Sequence, residues 1–201
     1  MDIKQYIQDS ITTKTEILNN KEILETIKKI ADRIVNAYRL DKKVLTAGNG
    51  GSAGDAQHIA GELVSKFFFD RPGLTAFSLA TDTSILTAIG NDYGYEKSFS
   101  RQIQANAKEG DVFIGISTSG NSKNIVMALQ EAKKKGVVTV GFVGTKECEM
   151  DKYCDYIIHV PSASTPTIQE SHIMIGHIIC ALVEEEIFRG SNKPILKEIL
   201  I

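Results

Sequence analysis

Cysteine is scarce in this chain, and the little there is does not pair. Cys148, Cys154 and Cys180 are odd in number and show no C-x-x-C spacing, which argues against a disulfide framework and against a thiolate zinc site. They read as reduced, structural thiols. Net charge is equally sparse. A formal charge of -2 and a pI near 6.1 leave no global basic field to drive association with nucleic acid through counterion release, so no nucleic-acid partner is expected, while a small local anion can still be held. Long apolar runs are missing too. The opening Met1-Asp2-Ile3-Lys4-Gln5-Tyr6 lacks the basic patch and apolar core of a secretory signal, and no run approaches the roughly 20 apolar residues of a membrane span. A cytoplasmic protein with no membrane partner is the expectation.

What is present suits one domain. The 201 residues are 42% hydrophobic and 24% charged, an ordinary globular composition with room for a full core. Residues 1–40 read as a helical segment, 41–190 as an α/β core and 191–201 as a tail. Ile3, Tyr6, Ile7 and Ile11, then Ile23, Leu24, Ile27, Ile30, Ile34 and Tyr38, recur at spacings of three and four and predict two helices over residues 3–39, with Asn20 as the N-cap of the second. The first helix has few apolar neighbours of its own, which suits docking on another subunit or serving as a lid on its own core. After Leu40, short apolar runs at 44–47, 74–80, 112–116, 137–143 and 156–160 alternate with helix-length amphipathic stretches. The alternation predicts an α/β fold with a doubly wound, five-stranded parallel sheet of flavodoxin-like order 2-1-3-4-5. Crossovers are expected over 53–68, 83–89 with 95–108, 122–135 and a short piece near 146–152, with a closing helix over about 166–189. The tail carries Ile195, Leu196, Ile199 and Leu200 and is expected to dock.

Two strand-to-helix loops carry the chemistry. Gly48-Asn49-Gly50-Gly51-Ser52 follows the first strand, where free backbone N–H groups and the positive helix end face any bound anion. It matches neither G-x-x-x-x-G-K-[ST] nor G-x-G-x-x-G, which argues against a nucleoside triphosphate or a dinucleotide. Ser117-Thr118-Ser119-Gly120-Asn121-Ser122 repeats the arrangement after the third strand. One serine there would serve as a helix cap, which leaves three hydroxyls over. In the expected strand order both loops flank the switch point, and hydroxyls without an obligate lysine suit the phosphomonoester of a small molecule. A third segment, Gly90-Asn91-Asp92-Tyr93-Gly94-Tyr95, reads as a loop whose amide and carboxylate could meet sugar hydroxyls, or as an ordinary turn.

His58 and Glu62, four residues apart, are neighbours on the helix that starts at the first loop. On the closing helix, with Pro166 near its start, Gln169 and His177 lie about 80° apart and can face one site, whereas His172 and His177 differ by about 140° and cannot. One of those two histidines is therefore structural or turned toward a neighbour, and periodicity does not choose between them. His159, inside the fifth strand, reads as structural. Imidazoles and a carboxylate from two helices could bind a metal or act as acid and base without one.

Taken together, G-N-G-G-S-x-x-D-A-x-H-x-x-x-E, G-N-D-[YF]-G, S-T-S-G-N-S and [ST]-x-x-I-Q-E-x-H-x-x-x-x-H resemble the phosphoheptose isomerases of the sugar isomerase (SIS) domain superfamily over nearly the whole chain. The resemblance implies interconversion of sedoheptulose 7-phosphate and D-glycero-D-manno-heptose 7-phosphate in bacterial heptose synthesis for lipopolysaccharide or capsule. It implies zinc around His58, Glu62, Gln169 and His177, and a homotetramer with sites at subunit interfaces. It implies substrate contacts at Asn49, Gly50, Gly51, Ser52, Glu62, Asn91, Asp92, Ser117, Thr118, Ser119, Ser122 and Gln169, with Glu62 and His177 catalytic. Two positions depart from the pattern: Lys66 stands where arginine is common, and Pro166 where some members carry an acid. The rival within the superfamily is a non-catalytic protein that binds the replication initiator; such proteins lack counterparts of Glu62 and His177, and this chain has both. Amino-sugar and arabinose phosphate isomerases, a further rival, generally carry extra domains.

Overall fold

Helix α1 (Ile3–Asn19) starts at Asp2, whose carboxylate accepts from the Lys4 N–H at 2.9 Å. Asn20 ends it and caps α2 (Lys21–Arg39), its Oδ1 accepting from Glu22 and Ile23 N–H at 3.0 and 3.1 Å, as the spacing predicts. The two helices differ in what they bury. Ile23, Ile27, Ile30 and Ile34 of α2 form one buried stripe, while α1 buries only Thr13 and Ile17 and leaves Ile3, Tyr6, Ile7 and Ile11 exposed. A Lys14–Glu170 ion pair of 2.9 Å ties α1 to the far end of the chain. The computed structural model describes residues 2–189; the tail, 191–201, expected to dock, lies outside the described residues.

From residue 44 strands and helices alternate: β1 (Val44–Gly48), α3 (Gly51–Val64), β2 (Ala76–Ser78), α4 (Thr83–Tyr93), α5 (Ser100–Asn106), β3 (Val112–Ile116), α6 (Lys123–Lys134), β4 (Val138–Val143), β5 (Tyr156–His159) and α7 (Thr165–Phe188), with 3-10 turns at Tyr95–Lys97 and Glu149–Lys152. All pairings are parallel, and the order is β2-β1-β3-β4-β5. Every residue of β1 and β3 is buried, as interior strands covered on both faces require. The register pairs Gly48 with Ile116, so β1 and β3 end level and their following loops open side by side. One core packs α2, α3 and α7 on one face of the sheet, and a second packs α5 and α6 on the other. Among the described residues no helix is long and apolar enough to cross a membrane.

Two expectations need correction. The second strand is only three residues long rather than spanning 74–80, because an edge strand pairs on one side alone and meets β1 over three positions. The segment Gly90 to Tyr93, expected as a loop, is the last turn of α4. Asp82 caps that helix, its Oδ1 accepting from Ile85 N–H at 2.9 Å, and the helix runs through Gly90 until Gly94, whose φ of 89° no L side chain adopts readily, stops it.

Candidate functional site

The first loop is shaped by Gly50. With φ 55° and ψ -123° it occupies the N-cap position of α3 in a conformation open to glycine, and it offers no side chain to the first helical N–H groups. Those donors are left for an anion at the positive end of the helix. Asn49 is held in place by reciprocal amide bonds: its Nδ2 donates to Asn124 Oδ1 at 2.9 Å, and Asn124 Nδ2 donates to Asn49 Oδ1 at 2.8 Å. Tyr95 donates to the same Asn49 oxygen at 2.8 Å. Because Asn124 sits in the first turn of α6, this pair links the first loop to the second. Sequence reasoning passed over Asn124, although an asparagine three residues after Asn121 in a hydroxyl-rich turn was the available signal.

In the second loop the hydroxyls converge. Ser117 Oγ lies 2.9 Å from Ser122 Oγ and 3.4 Å from Ser119 Oγ. Ser122 occupies the N-cap of α6, yet its side chain makes no capping bond there. Even the serine that capping would have explained is turned toward its neighbours. Ser52 and Ser117 are both 4% exposed, so the two loops bring hydroxyls and open N–H groups to the carboxyl ends of β1 and β3. Beside them, Thr118, Ser119, Asn121, Lys146, Ser162 and Thr165 line a cavity of about 340 Å³, a size suited to a small polar ligand. Asn91 and Asp92 do not join this group by any hydrogen bond among the described residues. Both are exposed on the end of α4, where Asn91 Nδ2 donates to Asp92 Oδ1 at 2.8 Å.

Further along α3, His58 Nε2 lies 3.0 Å from Glu62 Oε1, and His177 Nε2 from α7 lies 3.3 Å from His58 Nε2. One nitrogen from each histidine and one carboxylate oxygen thus fall within 4.8 Å of one another. Burial pulls the pKa of His177 below its ordinary value, and the neighbouring His58 adds to this against the opposing pull of Glu62. Two imidazole nitrogens and one carboxylate oxygen this close together are a donor set that fits zinc with a position left open. Gln169, the fourth residue expected around the metal, lies against the first loop: a Cβ built on Gly51 would stand 2.7 Å from its Nε2 and 2.9 Å from its Oε1. Lys66 is exposed just beyond α3, and Pro166 occupies the first turn of α7.

The choice between the two α7 histidines is made by packing. His172 is completely buried, its Nε2 bonded to the Val143 carbonyl at 3.1 Å, and burial lowers its pKa to about 4. It is a neutral structural residue. His159 is structural as expected, with Nδ1 on the Gly144 carbonyl and Nε2 on Asp151. Two further groups were given no role by the sequence reading. Asp55, three residues before His58 on α3, has a buried Oδ2 without a partner, and burial raises its pKa to about 6 against the pull of His58. Glu184, wholly buried on α7, accepts from Phe67 and Phe68 N–H, both at 2.7 Å, and from Arg71. A glutamate four residues after the buried Cys180, and so on the same face of the helix, was the only sign of it.

A glycine at the N-cap of α3, a His–Glu–His cluster and a doubly wound sheet of this order define a class of protein. The profile of the SIS domain family matches residues 5–144, and this chain has the SIS fold. A curated phosphoheptose isomerase of Aneurinibacillus thermoaerophilus is 63% identical over 188 residues, covering 94% of this chain and 95% of its own. Phosphoheptose isomerase 2 of Campylobacter jejuni is 58% identical, covering 92% of each. The solved phosphoheptose isomerase of Francisella tularensis superimposes with a TM-score of 0.87 at 33% identity, covering 91% of this chain and 96% of that one. The chain belongs to the phosphoheptose isomerases, and it is an isomerase.

Proposed function

We propose that the protein interconverts sedoheptulose 7-phosphate and D-glycero-D-manno-heptose 7-phosphate, an aldose–ketose isomerisation supplying heptose for bacterial lipopolysaccharide or capsule. The observation that carries this reading is that one helix joins the two halves of the site. Ser52 and His58 both stand on α3, six residues and therefore about 9 Å apart along its axis, on the order of the length of an extended seven-carbon chain. A phosphate at one end and a carbonyl at the other match that span.

In the proposed mechanism the phosphate is held by Ser52, Ser117, Ser119 and Ser122 and by the open N–H groups after Gly50, with Asn49, Gly51 and Thr118 lining the pocket and Asn91 and Asp92 meeting sugar hydroxyls. Glu62 removes the proton alpha to the carbonyl, a cis-enediol forms, and Glu62 returns the proton to the adjacent carbon. His177 carries the proton that must pass between the two oxygens. His58, Glu62, Gln169 and His177 would hold a zinc ion, which would supply Lewis acidity toward the substrate's oxygen. The enzyme acts in the cytoplasm as a homotetramer with sites at subunit interfaces. The bare apolar residues of α1 support the assembly, as does an apolar cavity of about 520 Å³ beside His177, lined by Phe67, Phe68, Ile173, Met174 and Ile178.

The test is conversion of sedoheptulose 7-phosphate followed by NMR, with the protein as isolated, after chelation, and after zinc is restored. Conversion is expected to fall on chelation and return with zinc. A zinc-loaded protein that leaves sedoheptulose 7-phosphate untouched would remove the substrate assignment, and conversion indifferent to chelation would remove the metal.

A further inference from the structure

The separation of His58 and Glu62 from His177 depends on how α3 sits against α7, and one buried guanidinium touches both helices. Arg71 Nη2 donates to the Glu62 carbonyl at 2.9 Å and Nη1 to the Leu63 carbonyl at 2.7 Å. These are carbonyls of the last turn of α3, which have no partner within the helix. Its Nε donates to Glu184 Oε2 at 2.9 Å. Glu184 lies seven residues after His177 on α7, two turns on and on nearly the same face. The side chains of Arg71 and Glu184 are 2% and 0% exposed.

Glu184 also governs the segment between α3 and β2. Its carboxylate accepts from the backbone N–H groups of Phe67, Phe68 and Phe69. Burial alone would raise its pKa, but those amide donors and the guanidinium outweigh it and hold the group ionised below the usual range. Phe67, fixed in this way, sets its ring 5.6 Å from the ring of His177. The pair therefore reaches the cluster by two routes: through the backbone of Glu62 itself and through the wall behind His177.

An ion pair out of water is weak as a source of stability, since apolar side chains of similar volume hold two helices together about as well. What apolar contact does not supply is direction. Three directed N–H groups on one rigid plane fix position and rotation at once. We propose that Arg71 and Glu184 are positioning residues, a buried clamp that fixes α3 against α7 and so presets the spacing of the His58, Glu62 and His177 donor atoms. The proposal rests on reading that cluster as the metal and proton-transfer centre.

The test compares wild type with Arg71→Lys, which keeps the charge but has one amine where three directed contacts are needed. Zinc affinity, read by competition with a chromophoric chelator, is expected to fall by roughly 10-fold to 100-fold, the usual effect of losing the groups that orient metal ligands. The kcat for sedoheptulose 7-phosphate should fall with it, while KM stays near wild type because the phosphate cradle lies at the other end of α3. Arg39→Ala, which breaks an exposed pair between α2 and Glu186 of α7, should change neither. A folded Arg71→Lys protein with wild-type zinc affinity and kcat overturns the clamp alone; a wild type that neither binds zinc nor converts the sugar phosphate removes the reading of the site and the clamp with it. If Arg71→Lys does not fold, Glu184→Gln takes its place with the same expectations. If neither folds, hydrogen exchange on the metal-free wild type decides: Phe67 and Phe68 amides already protected before zinc is added support a preset clamp, and protection that arises only with zinc overturns it.

Discussion

Gly176→Ala should damage catalysis far more than it damages the fold. Gly176 is buried on α7, directly before His177, and faces Ile59, the residue after His58 on α3. A methyl group there would stand 2.7 Å from both Cγ1 and Cδ1 of Ile59, a side chain only 1% exposed. The shortfall from the 3.4 Å at which ordinary contact begins is about 0.7 Å, and it must be taken up between two helices whose histidine nitrogens are 3.3 Å apart. Overpacking of this kind costs about 1–3 kcal/mol, and replacing glycine within a helix returns about 1 kcal/mol. The net loss is then about 0–2 kcal/mol, a few degrees in melting temperature for a domain of this size. A displacement near 1 Å at reacting groups, by contrast, costs on the order of 100-fold in rate. The assay is kcat for sedoheptulose 7-phosphate beside a thermal melt on the same preparation. Adding Ile59→Ala, which removes both clashing atoms, should restore most of the lost rate by coupling between the two sites. A single variant with wild-type kcat would refute the idea that this contact sets the geometry of the cluster, as would a double variant no better than the single.

Glu62→Gln should lose roughly 100-fold to 10,000-fold of the isomerisation, the range typical of a positioned base, together with exchange of the alpha proton with solvent; deuterium incorporation at the wild-type rate in that variant would exclude Glu62 as the base. His172 should make the fold sensitive to acid. Its pKa near 4 when folded lies below the ordinary 6.5, so between those values the unfolded chain takes up a proton that the folded chain refuses. Its contribution is complete above pH 6.5 and is lost as pH falls toward 4, by up to about 3 kcal/mol. Asp55, whose pKa is raised to about 6, acts with the opposite sign over much of the same window. The measurement is therefore a difference: urea unfolding of wild type against His172→Gln at pH 7 and pH 5. The variant should lose less stability on going to pH 5, and an equal loss would show that His172 is not the group responsible.

Much of the protein was legible in local pattern. The isoleucines of α2 recur every three or four residues because one face of that helix is buried, and β1 and β3 read as unbroken apolar runs because helices cover both faces of an interior strand. Asn20 announced a helix start through a side chain that can bond only its near neighbours. The two strand-to-helix loops were legible for the same reason, since glycine and serine immediately after a strand act through backbone and hydroxyl groups within a few residues. Where reading failed on α4, one local signal outweighed another. The stretch Gly90-Asn91-Asp92 looks like a turn by composition, yet α4 continues through it because the residue that ends the helix is Gly94, with its positive φ.

By itself, then, the sequence determined the order of strands and helices, the two glycine- and serine-rich loops and the pairing of His58 with Glu62, all of which depend on neighbours within about two helical turns. Only the tertiary structure decided that His172 is buried and neutral while His177 turns to His58. Those two histidines stand on one helix with equal local claims, and what separates them is the packing of α7 on β4 and α3. The same holds for Arg71 and Glu184, which are 113 residues apart and meet only because the sheet brings the end of α3 beside the end of α7. A directed contact between residues that distant has no periodicity to betray it, and it is set by the fold as a whole.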